Sequence, residues 1–187
     1  MARCYSDPVP NRQPPLPALW LVTDARNDAA LERALRRLPR GSGVIYRHYH
    51  LDGADRRARF RALTRIARAR NHRVVLSGSA REARQWRADG AYGSPAGLAN
   101  GPSVPRLATV HSLRELAAAH RARADAVLIS PVFPTRSHPD ARVLGPLRFR
   151  LLAARALVPV IALGGMDARR ARRVGTGRWA AIGCFIG

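Results

Sequence analysis

The segment VPVIALGGMDARRARRV, residues 158–174, contains a short apolar run, two glycines and an arginine-rich stretch in that order. The run has the length and composition of a buried parallel strand, and the arginine-rich stretch is typical of a helix. Gly164 and Gly165 lie between them, where glycines let a phosphate group approach the backbone N–H groups of a helix N-terminus. The segment predicts one strand–helix unit with a candidate phosphate site at its turn.

Seven further apolar runs of similar length occur along the chain, and helical patterns separate most of them. The eight predicted strands cover residues 18–23, 43–49, 73–76, 89–93, 106–110, 126–129, 158–163 and 179–182. Helices are predicted over residues 29–38, 55–71, 79–88, 112–123, 146–156 and 167–174. Strands that alternate with helices predict an α/β protein with a parallel sheet, and eight strands favour a (β/α)8 TIM barrel over an open sheet.

Capping residues precede two of these helices. Asp28 is available as an N-cap before the helix at 29–38, and Ser112 with Glu115 matches a capping box.

The predicted barrel is trimmed at two places. Residues 94–104, SPAGLANGPSV, hold proline, glycine and asparagine where the helix after the fourth strand is expected. The chain also stops at Gly187, so we expect the last helix to be missing. The surface that this helix would cover is then exposed, covered by the proline-rich tail at residues 1–17, or covered by a second subunit in a homodimer. The barrel itself is assigned to residues 18–187.

Composition narrows the possible partners. The formal net charge is +21, and all 33 basic residues are arginine. This charge is consistent with a protein that binds anions, or with solvated helix faces that carry arginine in place of lysine. Nucleic acid is an improbable partner because aromatic residues make up 6% of the chain and no nucleic-acid-binding motif is present.

The sequence also bears on location. No apolar run approaches the roughly 18 residues of a membrane span, and the N-terminus has no apolar signal core. The two cysteines, Cys4 and Cys184, do not form a disulfide framework, which suits the cytoplasm.

Residues that follow the strands of a parallel barrel meet at one end, where active sites of such barrels lie. The loop at residues 130–138 carries hydroxyls, Arg136 and His138, and either binds an anionic substrate or is a surface loop closed by prolines. His111 is either a ligand or acid–base group, or a structural histidine. Arg47 and Arg136 are the arginines expected to reach a substrate.

Residues alone predict no metal site. His48 and His50 flank Tyr49, and we do not expect them to form a shared site. No spacing of histidine, cysteine or acidic residues matches a zinc site.

Several motifs together resemble the thiamine phosphate synthase/TenI family. ADAVLISPVFPTRSH (residues 124–138) resembles that family's sixth strand and loop, GADYIGVGPVFPTxTK, and residues 158–174 resemble its PVVAIGGI segment and following helix. These two motifs are the most specific. Supporting motifs are LWLVTD at 19–24, GVIYRHY at 43–49, RADGAYGS at 87–94 and TVHSLRELAAA at 109–119.

The resemblance implies a (β/α)8 barrel that joins hydroxymethylpyrimidine diphosphate to a thiazole phosphate and releases pyrophosphate, with Mg²⁺ and basic side chains at the leaving group. It implies that Gly164, Gly165, Ile182 and Gly183 bind the thiazole phosphate. Substrate-facing or catalytic roles fall on Arg47, His111, Thr135, Ser137 and His138.

Several family residues are replaced in this chain. Ile45 and Tyr49 stand at the glutamine and lysine positions of the second-strand motif, and Ser77-Gly78 replaces the Asn-Asp pair that helps to bind Mg²⁺ and the diphosphate. The resemblance therefore implies Mg²⁺ as a cofactor, although the residues that bind Mg²⁺ in the family are largely replaced in this chain. The alternative is a TenI-like protein that is not a synthase, either a barrel that binds a phosphate ligand or a thiazole phosphate isomerase. Pro131 stands where the TenI tautomerase has its histidine.

Overall fold

The computed structural model describes residues 15–135 and 142–183, and it forms a closed barrel of eight parallel strands in chain order. The predicted TIM barrel is confirmed. The strands are β1 (Leu19–Val22), β2 (Gly43–Tyr46), β3 (Arg73–Ser77), β4 (Ala91–Gly93), β5 (Arg106–Val110), β6 (Ala126–Ile129), β7 (Val160–Leu163) and β8 (Trp179–Ala181). The fourth predicted strand is confirmed as β4, which pairs with β3 and β5.

Helices follow the first seven strands and pack outside the barrel. They are a 3₁₀ helix (Ala25–Ala30), α1 (Leu31–Arg37), α2 (Gly53–Arg68), α3 (Ala80–Gln85), α4 (Pro95–Leu98), α5 (Leu113–Arg121), α6 (Gly145–Ala153) and α7 (Ala168–Val174). The segment after β4 is shortened as predicted, although Ser94 caps one helical turn there. The described residues end two positions after β8, so they do not test the prediction about the last helix.

Two apolar layers hold the barrel together. Alternate strand residues such as Trp20, Ile45 and Leu128 fill the barrel interior, while their neighbours Leu21 and Val44 pack against the helices. This alternation follows from the two-residue period of a strand. In the part of the chain that the structure describes, no helix is long and apolar enough to cross a membrane.

The first cap differs from its prediction. Asp28 does not cap a helix: Asp24 caps the 3₁₀ helix by accepting from the Arg26 N–H, and Ala30 precedes α1 without a side-chain cap. The chain enters the helical segment four residues earlier than predicted, which moves the cap to the end of β1.

The second cap is confirmed in one of its two bonds. Ser112 caps α5 by accepting from the Glu115 N–H, but the Glu115 carboxylate accepts from the His111 N–H rather than from Ser112. The glutamate thereby fixes the backbone of a candidate site residue.

The carboxyl ends of all eight strands meet at one mouth because the sheet is parallel and closed. Asn27 links the ends of β1 and β8 there, since its side-chain amide donates to the carbonyls of Val22 (3.0 Å) and Ile182 (2.9 Å). At the described end of the N-terminal tail, Leu16 packs against the apolar interior. The barrel therefore places those predicted site residues that the structure describes around a single opening.

Candidate active site at the carboxyl ends of the strands

Two neighbouring cavities open at this mouth. The β7–β8 cavity, about 540 Å³, includes Gly164, Gly165, Ile182 and Gly183 in its lining. The central cavity, about 600 Å³, is lined by Arg47, Tyr49, Tyr92, Gly93, Ser94, Thr109, His111, Ser130, Pro131, Thr135, Arg142, Leu163, Gly164 and Ile182. Thr135, Leu163, Gly164 and Ile182 border both cavities, so one ligand can reach from the first into the second.

The glycine pair after β7 is required by packing. Gly164 and Gly165 have φ values of +95° and +59°, in the left-handed region that favours glycine. A Cβ atom on Gly164 would lie 2.7 Å from Pro131 Cα, and one on Gly165 would meet the Pro134 carbonyl. The loop after β6 therefore lies directly on the turn after β7. Gly183 differs because a Cβ atom there would meet nothing within 4 Å.

Two arginines add positive charge to the β7–β8 cavity. Arg170 lies across its rim, where Nη1 donates to the Gly165 carbonyl (2.5 Å) and the guanidinium stacks 5.1 Å from the Phe133 ring centroid. Arg26 lines the cavity as well and pairs with Asp24 (2.7 Å). The one carboxylate among the described lining residues, Asp167, accepts from the Arg170 N–H (2.7 Å). The cavity suits an anion.

The central cavity combines a cation with aromatic and hydroxyl groups. The Arg47 guanidinium lies 5.4 Å from the Tyr49 ring centroid, and its Nη2 lies 3.8 Å from an Asp24 oxygen. Hydrogen bonding from Arg26, helped by the charge of Arg47, lowers the pKa of Asp24 to about 2. Burial raises the pKa of Tyr92 to about 12, so its phenol stays neutral at this surface. These groups can surround an aromatic ring and hold an attached anion.

His111 has a fixed ring orientation. Its Nδ1 lies 2.6 Å from the Ser130 carbonyl, which can only accept a hydrogen bond, so Nδ1 carries a proton. The residue is exposed and lines the central cavity, with Nε2 as its other ring nitrogen. Its acid–base role stays a prediction.

The residues at the ends of β3 and β4 do not form a Mg²⁺–diphosphate site. Ser77 Oγ forms a hydrogen bond with the Tyr49 hydroxyl, and the Glu82 carboxylate fills the space next to Gly78. That carboxylate is paired with Arg56 (3.1 Å). The described residues that line the central cavity include no carboxylate. Since Mg²⁺ requires hard oxygen ligands, the family's metal does not fit this lining.

Arg56 is a site-building residue that the sequence did not reveal. Its guanidinium donates to the Arg47 carbonyl (3.0 Å), to the Ser77 carbonyl (2.6 Å) and to Glu82 (3.1 Å). One side chain from α2 thus ties together the ends of β2 and β3 and the start of α3. An arginine inside a predicted helix gave no signal that distinguishes it from its exposed neighbours.

The expectation that Arg47 and Arg136 are the arginines near a substrate is too narrow. Arg47 does line the central cavity, but Arg26, Arg142 and Arg170 line one cavity or the other as well. Arg26 and Arg170 belong to the 3₁₀ helix and α7, whose first turns lie at the mouth.

The predicted site residues separate into two groups. The structure brings Arg47, His111, Thr135, Gly164, Gly165, Ile182 and Gly183 to the two cavities. Ser137 and His138, with Arg136, lie outside the described residues, as does Cys184. The predicted roles of all these residues remain predictions.

The pattern at His48 and His50 is corrected. β2 ends at Tyr46, so both histidines lie in the loop that follows it, where their ring centroids are 5.1 Å apart. Together with Asp28 they form a cluster whose ligand atoms lie within 4.8 Å of one another. The sequence search for metal ligands missed this cluster because Asp28 is twenty residues away.

The chain is similar to proteins of thiamine biosynthesis. A family profile described as thiamine monophosphate synthase matches residues 19–183. A thiamine-phosphate synthase of Pyrococcus furiosus is 37% identical over 73 residues, which cover 39% of this chain and 35% of that protein. The matched segment thus spans about a third of that relative.

Solved structures support the fold. The thiamine phosphate pyrophosphorylase of Pyrococcus furiosus superimposes with a TM-score of 0.70 at 24% identity, covering 88% of this chain and 84% of that one. The pyrophosphorylase of Bacteroides thetaiotaomicron gives 0.58 at 16% identity, with 88% and 82% covered. Because the family profile matches nearly all of the described barrel, the chain belongs to the thiamine monophosphate synthase family.

Proposed function

We propose that this protein binds a phosphorylated thiazole in thiamine biosynthesis, with the phosphate in the β7–β8 cavity. The observation that carries the proposal is the lining of that cavity. It combines the Gly164–Gly165 turn, the open backbone at Gly183, and two arginines, Arg26 and Arg170. Phosphate oxygens are bound by charged hydrogen-bond donors and by backbone N–H groups that they can approach closely.

The ring of the ligand would lie in the central cavity. Gly164 and Ile182 border both cavities, so a short linker between phosphate and ring suffices. Tyr92 and Leu163 provide apolar surface for the ring. His111 Nε2 is the basic group available to a proton on that ring, which is what an isomerase of thiazole phosphate would require.

The synthase reaction is the second candidate. Two adjoining cavities favour it, because one substrate would occupy each, and Thr135 borders both. Arg47 and Arg142 line the central cavity, where they would offset the charge of a departing pyrophosphate. The described lining of the central cavity lacks a carboxylate for Mg²⁺. This favours a protein that binds the thiazole phosphate without catalysing the Mg²⁺-dependent synthase reaction.

Calorimetric titration with thiazole phosphate tests the binding proposal. Gly183→Asp introduces a negative charge at the cavity without a steric clash, and we expect at least about a tenfold loss of affinity, which is about 1.4 kcal/mol. Gly177→Asp is the matched control, since Gly177 is also unobstructed and lies outside both cavities. Absence of binding at millimolar ligand, or equal affinity of both variants, contradicts the proposal.

A turnover assay separates the two candidates. Thiamine phosphate formation would be followed with both substrates and Mg²⁺. The variant Ser77→Asn/Gly78→Asp restores the family residues, and Glu82→Ala must accompany it because the Glu82 carboxylate occupies the space beside Gly78. Turnover by the unmodified protein favours the synthase. Ligand binding without turnover, even in the restored variant, favours the binding role.

We also propose a cytoplasmic location, since the ligands are soluble phosphate esters.

We propose, in addition, that the protein forms a homodimer. Leu147 and Leu151 on α6 are 72% and 61% exposed and lie one helical turn apart, and Leu151 lines the same surface groove as the exposed Leu113. A second copy of the chain would cover this apolar strip. Sedimentation velocity should show a dimer that Leu147→Glu/Leu151→Glu converts to a monomer. A monomeric parent protein rejects the homodimer.

A further inference from the structure

Asp28, His48 and His50 come together outside the two cavities described above. Asp28 lies in the 3₁₀ helix after β1, and the histidines follow β2. One potential ligand atom from each residue lies within 4.8 Å of the others. Since neither cavity includes any of the three in its lining, this cluster is separate from the phosphate site.

The backbone after β2 brings the two histidines to one side. His48 has φ = +40°, a left-handed conformation, and the chain turns there instead of continuing as a strand. The two rings, separated by one residue in sequence, therefore lie with centroids 5.1 Å apart. His48 is buried, whereas His50 is exposed on the loop and free to adjust its rotamer toward an incoming ion.

The buried histidine is held in the orientation of a metal ligand. Its Nδ1 lies 2.7 Å from Thr23 Oγ1, and its ring stacks on Tyr46 at 4.6 Å. Nε2 faces Asp28 Oδ1 at 2.8 Å. A hydrogen bond from the second ring nitrogen to an oxygen is the usual outer-shell contact of a metal-bound histidine.

The carboxylate is held as well. Arg59 Nε donates to the same Asp28 oxygen (2.9 Å), and Arg59 Nη2 donates to the Asp28 carbonyl (3.1 Å). Both side-chain hydrogen bonds of Asp28 within the described part of the chain fall on Oδ1, so Oδ2 is the oxygen that can face an ion.

We propose that Asp28, His48 and His50 bind one divalent transition-metal ion of the zinc class. Two imidazoles and one carboxylate are a donor set typical of Zn²⁺ sites that keep an open coordination position. Oxygen-rich Mg²⁺ sites have a different donor set, so this ion is distinct from the family's Mg²⁺.

Binding requires a change of tautomer at His48. Without metal, Nε2–H donates to Asp28 and Nδ1 accepts from the Thr23 hydroxyl, whose oxygen accepts from the Arg47 N–H (2.9 Å). With metal, Nε2 supplies its lone pair to the ion, and the ring proton sits on Nδ1 and is donated to Thr23 Oγ1. The ring keeps one proton throughout.

Zinc and cobalt binding to tag-free protein tests this site. Cys4→Ser/Cys184→Ser is used as the background so that thiols cannot bind the ion. We expect one Zn²⁺ per chain by calorimetry, a rise in Tm with zinc, and visible d–d bands when Co²⁺ replaces it. His50→Gln removes an exposed ligand and should lower zinc affinity by about tenfold or more without affecting the fold.

Two further variants make the test decisive. Asp28→Asn should also weaken zinc binding, whereas His120→Gln, which alters a histidine outside the cluster, should leave it unchanged. The proposal is overturned when the protein shows no saturable zinc binding, or when His50→Gln binds zinc and gives the same cobalt spectrum as the background protein. Neither result depends on thiazole phosphate, so failure here leaves the proposed function standing.

Discussion

Single glycines at this mouth serve different physical purposes. Gly164 and Gly165 are required by left-handed φ values and by the loop that packs on them, whereas Gly183 has open space around it. A glycine pair after a strand is therefore evidence of a tight turn before it is evidence of a phosphate site. The phosphate proposal rests on what surrounds the pair.

Gly164→Ala should destabilise the fold by at least about 2 kcal/mol, because the new Cβ meets Pro131 and the backbone is left-handed. Gly183→Ala should leave stability within about 0.5 kcal/mol of the parent protein. Urea unfolding of both variants checks this difference. Equal stability of the two would mean that the β6 loop yields easily and does not constrain the turn.

The ion pairs of Asp24 make stability depend on acid pH. Its pKa falls from 3.8 when unfolded to about 2 when folded, because Arg26 holds it ionised. A lowered carboxyl pKa adds stability above about pH 4, and this is lost as the pH falls from about 4 to 2. Since Arg26 is half exposed, we expect about 1–2 kcal/mol.

Asp24→Asn keeps the cap of the 3₁₀ helix but removes the charge. The variant should be less stable than the parent at pH 7 and equally stable near pH 2. Chemical denaturation across this range gives the measurement. A gap that persists unchanged at pH 2 would show that the hydrogen-bond geometry, and not the charge, is what Asp24 contributes.

At the scale of residues, the sequence predicted the site residues that follow strands, but it did not predict which helical arginines lie at the site. Arg47, His111 and the glycines follow apolar runs, and strand ends are visible in the pattern. Arg56 and Arg170 lie in helices that contain many arginines. Whether one of these arginines reaches the site depends on how the first turn of its helix is placed relative to the barrel mouth. That is a tertiary property with no local signal.

The element that organises the site is α2. Arg56 reaches from its first turn to the ends of β2 and β3, and Asp52 caps the helix by accepting from the Asp55 N–H. The helix therefore fixes both its own start and the strand ends that carry Arg47 and Ser77.

Arg56→Lys should lower stability by about 2 kcal/mol and weaken thiazole phosphate binding. Lysine keeps the charge but cannot donate to three separate acceptors in one plane, so buried carbonyls lose their partners. Arg57→Lys, one position along the same helix and exposed, is the matched control. Denaturation and calorimetry on both variants would decide this, and identical behaviour would reduce Arg56 to a surface contact.

The bounds of β5 and β6 match their prediction, whereas two other boundaries differ. β2 ends at Tyr46 instead of residue 49, and the chain after β1 becomes helical at Ala25 instead of residue 29. The reason for the second difference is that Asp24 and Asn27 form a reciprocal cap directly at the strand end. The reciprocal Asp24–Asn27 cap is a matter of side-chain geometry, so it could be identified only in the structure.

At the scale of the whole molecule, part of the net charge of +21 lies on exposed helix faces. Arg57, Arg61 and Arg65 illustrate this, because they are exposed at four-residue spacing along α2. Like charges at this spacing repel each other by about 0.2–0.5 kcal/mol per pair. The protein should therefore be less stable at low ionic strength than in moderate salt.

Arg61→Glu tests this interpretation of the charge. It replaces two repulsive contacts on α2 by two attractive ones, so we expect a gain of about 0.5–1 kcal/mol at low salt. The Tm of the parent protein should rise with added NaCl because the Debye length shortens to about 8 Å at 0.15 M, and the advantage of the variant should shrink over the same range. Differential scanning calorimetry across a salt series measures both effects. A Tm of the parent that is independent of salt would mean that its arginines are already neutralised by their surroundings, and the variant would then show no advantage at any ionic strength.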